Sequence, residues 1–326
     1  MILVTGAAGF IGYHFITKLL ASGFDVLGID SISNYYDVRL KHDRLALLKK
    51  NERFIFHNID LCDVTELQNL FHTHKEIEYV IHLAAQPGVR YSLENPYSYV
   101  KNNVEAFVAL FEIVCKMPNI KHVMYASSSS VYGNSSEIIM KEEFINPYPS
   151  SLYAVTKVSN EYLANYYSFY YKIPMTGLRF FTVFGPYGRP DMMPYIFLEA
   201  LYAQKPLTLF TGSQMYRDFT FVDDTVDIMY KLMMKLPETN SLGIPATIYN
   251  IAAGNKHSVD TFLNYLEVYS GIKALKHYQS PIICDVVSTQ ADTAKLFNAI
   301  GTTHNFYPLE EGIKKFISWY KEYKNV

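Results

Sequence analysis

The sequence predicts an α/β protein: a doubly wound parallel sheet joined to a second, smaller α/β part. Three observations predict it. Apolar runs and helix-patterned segments alternate along the first half of the chain. One of those runs, Tyr79–Ala84, reads as a strand covered on both faces. The first run then passes into three glycines at three-residue spacing, Gly6, Gly9 and Gly12, and a helical pattern follows from Tyr13 to Leu20.

Taken in order, strands are expected at Leu3–Thr5, Val26–Asp30, Phe54–Asn58, Tyr79–Ala84, Val123–Ser127 and Met175–Phe181. Helices are expected up to about Ala21, then at Arg39–Lys50, Thr65–Thr73, Tyr97–Cys115 and Ser151–Tyr171. After Phe184 the alternation stops. Gly185-Pro186-Tyr187-Gly188-Arg189-Pro190 reads as a loop, with later turns at Lys205-Pro206 and Thr211-Gly212-Ser213. A helix at Asp224–Met234 and a strand at Thr247–Ala252 then rejoin the first sheet. The chain therefore crosses between its two parts more than once. Residues 1–183 with about 219–253 form one part, and about 184–218 with 254–326 the other.

The glycines specify a ligand. A strand–turn–helix with this spacing is the dinucleotide-binding fingerprint of a Rossmann domain. Gly6 permits the tight turn, Gly9 lets backbone approach a diphosphate, and Gly12 lets helix pack on strand. Phe10 and Ile11 lie within the same turn, and the helix N-terminus favours an anion. Asp30 ends the second strand, where a carboxylate accepts ribose hydroxyls and repels a 2′-phosphate, so NAD is expected rather than NADP.

Composition narrows the alternatives. With 326 residues and a net charge of −2, the chain has no basic tract, so nucleic acid is not expected as a partner. Cys62, Cys115 and Cys284 are too far apart for a disulfide framework or zinc site, and His72 and His74 lack companion ligands, so no metal is expected. A strand from the second residue and no long apolar run suggest a cytoplasmic protein with no membrane partner. The 28 tyrosines point to core or subunit interface. Apolar positions Phe107, Leu110, Phe111, Val114, Tyr162 and Tyr166 on the two long helices fit either a homodimer contact or the monomer's own core.

Tyr153 and Lys157 stand four apart on a predicted helix, hence on one face. An ammonium there lowers the phenol's pKa and suits it to act as a base. Tyr97/Lys101, Tyr269/Lys273 and Tyr320/Lys324 have the same spacing. Context singles out Tyr153, because Ala126-Ser127-Ser128-Ser129-Ser130-Val131-Tyr132-Gly133 ends the fifth strand, where open α/β sheets bind ligands.

With these motifs the chain resembles extended short-chain dehydrogenases/reductases that modify nucleotide sugars, over essentially its whole length. Gly88-Val89-Arg90-Tyr91-Ser92-Leu93-Glu94-Asn95-Pro96 and Gly188-Arg189-Pro190-Asp191-Met192 are most similar to UDP-glucuronate 4-epimerases. The resemblance implies Ser128 as catalytic hydroxyl, Tyr153 as base and Lys157 as its partner. It places Asp30, Asp60 and Leu61 at the adenosine end, Ala84 and Ala85 along the diphosphate and ribose, and Asn102 or Asn103 near the nicotinamide. Arg217 would reach the substrate diphosphate and Asp285 the uridine ribose. The family usually has Pro-Gly-Asp at that last contact, whereas this chain has Ile283-Cys284-Asp285.

The implied reaction is inversion at sugar C4 through a transient 4-keto sugar. Related dehydratases carry Asp and Glu beside the catalytic hydroxyl, and related decarboxylases a Glu before Val-Tyr-Gly. Here both positions are serines, Ser129 and Ser130, which disfavours both reactions. Ser128, Ser129, Ser130, Thr182, Arg90 and Arg189 are the candidate sugar contacts. Two alternatives stand beside UDP-glucuronate epimerisation: a neutral UDP-hexose epimerase (UDP-glucose or UDP-N-acetylglucosamine), and a non-catalytic dinucleotide-binding protein.

Overall fold

The computed structural model describes residues 1–134, 139–144, 146–210, 215–280, 288–301 and 305–326. In chain order its elements are β1 Ile2–Thr5, α1 Phe10–Ala21, β2 Val26–Asp30, α2 Arg39–Leu48, β3 Phe54–Asn58, α3 Val64–Thr73, β4 Tyr79–His82, α4 Tyr91–Glu94, α5 Pro96–Tyr99, a π-helical turn Val100–Glu105, α6 Ala106–Val114 and β5 His122–Ser128. A short 3₁₀ turn Ser129–Tyr132 precedes α7 Leu152–Tyr171, β6 Met175–Phe180, β7 Thr182–Phe184, α8 Met193–Tyr202, β8 Pro206–Phe210, β9 Tyr216–Phe221 and α9 Val222–Met233. The chain closes with β10 Ala246–Ile251, β11 Lys256–Ser258, α10 Val259–Ser270, β12 Leu275–Gln279, α11 Ala294–Ile300 and α12 Leu309–Lys324.

Among the described residues, seven strands form one sheet in the order β10-β6-β5-β4-β1-β2-β3, all parallel. Strand order reverses at β1, which pairs with β4 on one side and β2 on the other. That reversal opens a crevice beyond the carboxyl ends of the strands. Side chains alternate across the sheet: Ile2 and Val4 join the core under α1, α2, α9 and α11, while Leu3 joins the core under α3, α6 and α7. A third core gathers α8, α10 and α12 around Phe184, Phe219 and Phe221. It supports two small sheets, β11-β9-β7 and β12-β8.

One expectation needs correction, and one open alternative is resolved. The long helix over Tyr97–Cys115 is interrupted by the π turn, which inserts one residue into the helical repeat just where the chain passes the cleft. Phe107, Leu110, Phe111 and Val114 are fully buried inside the monomer, because α6 lays that face on the sheet. Tyr162 and Tyr166, by contrast, are 58% and 56% exposed. No helix among the described residues is long and apolar enough to cross a membrane.

Candidate active site

The carboxyl ends of β1, β2, β4, β5 and β6 open into one cleft of about 930 Å³, closed on its far side by β8, β12 and the loop before α8. Its floor is the glycine turn. Gly6 has φ +71°, and a Cβ there would lie 2.8 Å from the Ala84 amide nitrogen. A Cβ on Gly12 would lie 2.2 Å from the Gly6 carbonyl oxygen, so any larger residue forces α1 off the turn. Gly9 caps α1 without a side-chain bond, and no acidic residue enters the first helical turn. The first-turn amides of α1 are thus free for an anion.

Asp30 closes the same end. One carboxylate oxygen accepts from the Ala8 amide at 3.1 Å, the other from the Ile32 amide at 2.8 Å and from Lys41 Nζ at 3.2 Å. A carboxylate has about four acceptor sites, so capacity remains for a ribose hydroxyl. Asp60, Leu61, Ala84 and Ala85 continue the wall.

Midway along the cleft stands Tyr153, on the first turn of α7. Ser151 Oγ caps that helix by accepting from the Ala154 amide at 3.1 Å. Ser128 ends β5, donates from Oγ to Ser130 Oγ at 3.2 Å, and favours the ionised form of the Tyr153 phenol. Lys157, one turn further along, donates from Nζ to the Ala126 carbonyl at 2.9 Å and lies 5.9 Å from the Tyr153 ring centre. Burial lowers the Lys157 ammonium to about 8, with Glu161 working in the other direction. The phenol departs from expectation. Burial pushes it above its ordinary range, and Ser128 and the Arg189 charge oppose that only in part. Desolvation of the phenolate outweighs the nearby cations.

At the other end, Ser129, Ser130, Thr182, Arg90, Arg189 and Arg217 line the wall. Arg189 donates from Nε to Asp191 at 3.1 Å and from Nη2 to its second oxygen. Burial works against the guanidinium's charge, but Asp191 holds it firmly protonated. Tyr35 donates to the same carboxylate at 3.1 Å. The Arg90 guanidinium sits 5.1 Å from the centre of the Phe210 ring, and Arg217 donates to the Tyr216 carbonyl at 2.8 Å.

Residues 2–252 match the model of the NAD dependent epimerase/dehydratase family. The chain belongs to that family. Protein CapI of Staphylococcus aureus is 40% identical over 99% of this chain and 98% of its own length. UDP-glucuronate 4-epimerase 1 of Arabidopsis thaliana is 39% identical, covering 99% of this chain and 77% of that protein. Among solved structures, the UDP-glucuronic acid 4-epimerase of Bacillus cereus in complex with UDP-glucuronic acid and NAD superposes with a TM-score of 0.89 and 34% identity, over 99% of both chains.

The glycine turn, the helix without a side-chain cap and the acidic strand end stand at one pole of the cleft, with the tyrosine and lysine beyond. Gly6, Gly9, Phe10, Ile11, Gly12, Asp30, Asp60, Leu61, Ala84, Ala85, Arg90, Ser128, Ser129, Ser130, Tyr153, Lys157, Thr182, Arg189 and Arg217 all face this one cavity. Asn103 does not. It is fully buried, accepting from the Gln86 amide at 2.6 Å and donating to Thr156 Oγ1 at 3.0 Å, while its neighbour Asn102 lines the cleft. The π turn gives the two adjacent asparagines these opposite duties. Asp285 and Cys284 lie outside the described residues. Lys41, Tyr35 and Asp191 also line the cleft, and no role for them was read from the sequence. The one signal was the placing of Asp191 within the family-like segment Gly188–Met192.

Proposed function

We propose that the protein inverts C4 of UDP-glucuronate, giving UDP-galacturonate, with NAD as resident cofactor. The observation that carries this reading is the serine pair beside Ser128. Ser129 and Ser130 face the cavity where related dehydratases and decarboxylases carry carboxylates, so these two positions offer no acid for elimination or loss of CO2. Arg189 and Thr182 share that end of the cavity and supply a cation and a hydroxyl for a C6 carboxylate.

The glycine turn, Asp30 and Lys157 hold the dinucleotide, which when bound supplies reversible hydride acceptance at the sugar carbon. The protein's own part is proton handling and positioning. Tyr153 takes the C4 hydroxyl proton and returns it. Ser128 faces the same cavity, favours the ionised phenol and orients the sugar hydroxyl. Lys157, fixed on the Ala126 carbonyl, keeps a positive charge against the phenolate as it forms. The serines and Arg189 hold the carboxylate so that the bond to CO2 stays out of line with the carbonyl π-system of the 4-keto sugar. Residues 1–183 with about 219–253 serve the dinucleotide in this reading, and about 184–218 with 254–326 the nucleotide sugar.

One observation favours a neutral hexose instead: Arg189 is already matched by Asp191. Incubation with UDP-glucuronate decides between them. UDP-galacturonate should form, deuterium at C4 should be retained in H2O, and UDP-glucose should turn over far more slowly. Faster turnover of UDP-glucose would overturn the acidic-sugar reading. We also assign a homodimer, in the cytoplasm, through the exposed stripe Val155, Tyr162, Tyr166 and Tyr170 of α7 with Tyr97 and Val100 beside it.

A further inference from the structure

Helix α2 carries two buried cations three residues apart. Lys41 and Arg44 are 8% and 0% exposed. Lys41 is matched by the Asp30 carboxylate at 3.2 Å. Arg44 has only neutral partners. Its Nη1 donates to the Ala8 carbonyl at 2.8 Å and to the Tyr36 hydroxyl at 3.0 Å. Its Nη2 donates to the Tyr187 carbonyl at 2.6 Å and reaches the Gly188 carbonyl at 3.4 Å. Its Nε is buried with no hydrogen-bond partner among the described residues. A buried ion without a counter-ion is among the costlier arrangements in a folded protein.

The position of this charge indicates its use. Ala8 belongs to the glycine turn, so the guanidinium sits directly behind the backbone that meets the dinucleotide. The first turn of α1 contains no acid. Asp30, the nearby carboxylate of the cleft, is already paired with Lys41. This end of the cleft therefore carries one unmatched positive charge in a setting where a charge acts at low dielectric.

We propose that Arg44 is the fixed counter-charge of the dinucleotide's diphosphate, a buried cation behind the glycine turn that is matched when that anion binds. It acts through its field and through the Ala8 peptide, since it does not line the cavity. The inference rests on reading the glycine end of the cleft as the dinucleotide site. A rival, purely structural duty is available, because the same guanidinium ties down the loop that leads to Arg189. The two differ in which ligands they affect: a strut serves every ligand of the cleft, a counter-charge only those with phosphate.

The test compares wild type, Arg44→Met and Arg44→Lys, each as full chain stripped of bound nucleotide, for affinity toward NAD+, ADP-ribose and adenosine. Arg44→Met should weaken NAD+ and ADP-ribose by roughly tenfold or more and leave adenosine within about twofold. Arg44→Lys, which keeps the charge and loses the fork, should recover most of the loss. Equal weakening of all three ligands, or none, overturns the proposal. Wild type that binds neither ADP-ribose nor adenosine would instead defeat the dinucleotide reading. Should Arg44→Met fail to fold, Arg44→Gln carries the same comparison.

Discussion

Beneath Ser128 and Lys157 lies a buried ion pair whose removal has a calculable effect. Arg179 donates from Nε and Nη2 to the two oxygens of Glu161, both at 2.8 Å, and from Nη1 to the Tyr132 hydroxyl at 2.8 Å. Ser127 donates to the same carboxylate at 2.6 Å. The paired side chains are 3% and 9% exposed. Glu161→Gln leaves the guanidinium and the Ser127 hydroxyl facing an amide with only one acceptor. Breaking one side of such a pair costs about 3–5 kcal/mol. At about 2 °C per kcal/mol for a chain of this size, the midpoint should fall by roughly 6–10 °C. Arg179→Met should cost a similar amount, because it strands the carboxylate. The double variant Glu161→Gln/Arg179→Met should lose far less than the sum, since no unmatched charge remains. Thermal unfolding of the four proteins gives the cycle. Effects of the two single changes that add to within about 0.5 kcal/mol would refute the reasoning. The same carboxylate supports the charge of Lys157, so Glu161→Gln should also shift the alkaline limb of activity to lower pH.

Three further outcomes follow from the structure. Burial lowers His14 and His122 to about 4 and His82 to about 3, each from an ordinary 6.5. The unfolded chain therefore binds more protons below pH 6.5, and stability present above that pH is lost as pH falls toward the folded values. At pH 5.5 the loss is about 1 kcal/mol per ring, so acid should lower the midpoint and His122→Gln should flatten the dependence; an unchanged midpoint from pH 7 to 5.5 contradicts it. Tyr153→Phe should cut turnover by about 10²–10⁴ while nucleotide-sugar affinity measured by calorimetry stays near wild type; retained turnover removes the phenol from the mechanism. If the proposed dimer uses the α7 stripe, wild type should sediment as a dimer and Tyr162→Glu with Tyr166→Glu as a monomer without a lower midpoint of unfolding; a dimer that persists moves the interface elsewhere.

The parallel sheet was legible almost residue by residue. Val26–Asp30 and Phe54–Asn58 have the bounds expected of them; the first is buried at every position, while the second is the edge strand and leaves Ile55 40% exposed. Tyr153 was separable from its three look-alikes only by context, and Tyr97 is indeed 86% exposed on the outer surface. Less was legible where two solutions share one pattern. The apolar face of α6 fits a partner subunit as well as the sheet. The π turn leaves no mark in composition, so the duties of Asn102 and Asn103 were open. Lys41 and Arg44 lie in a helix that alternates charge and leucine, and no local signal tells a buried cation from a solvated one. Spacing reveals the ammonium beside Tyr153 but not the depth of burial that raises the phenol.

The place of β10 in the sheet has a consequence for how the molecule is made. Strand β6 ends at Phe180, yet the strand that covers its free side ends at Ile251, about 70 residues later. At roughly 5–20 residues per second of synthesis, the nascent sheet shows an uncovered ladder of amides and carbonyls for several seconds or more on the ribosome. Chains stalled or cleaved between these two strands should be the ones that chaperones capture and that aggregate edge to edge.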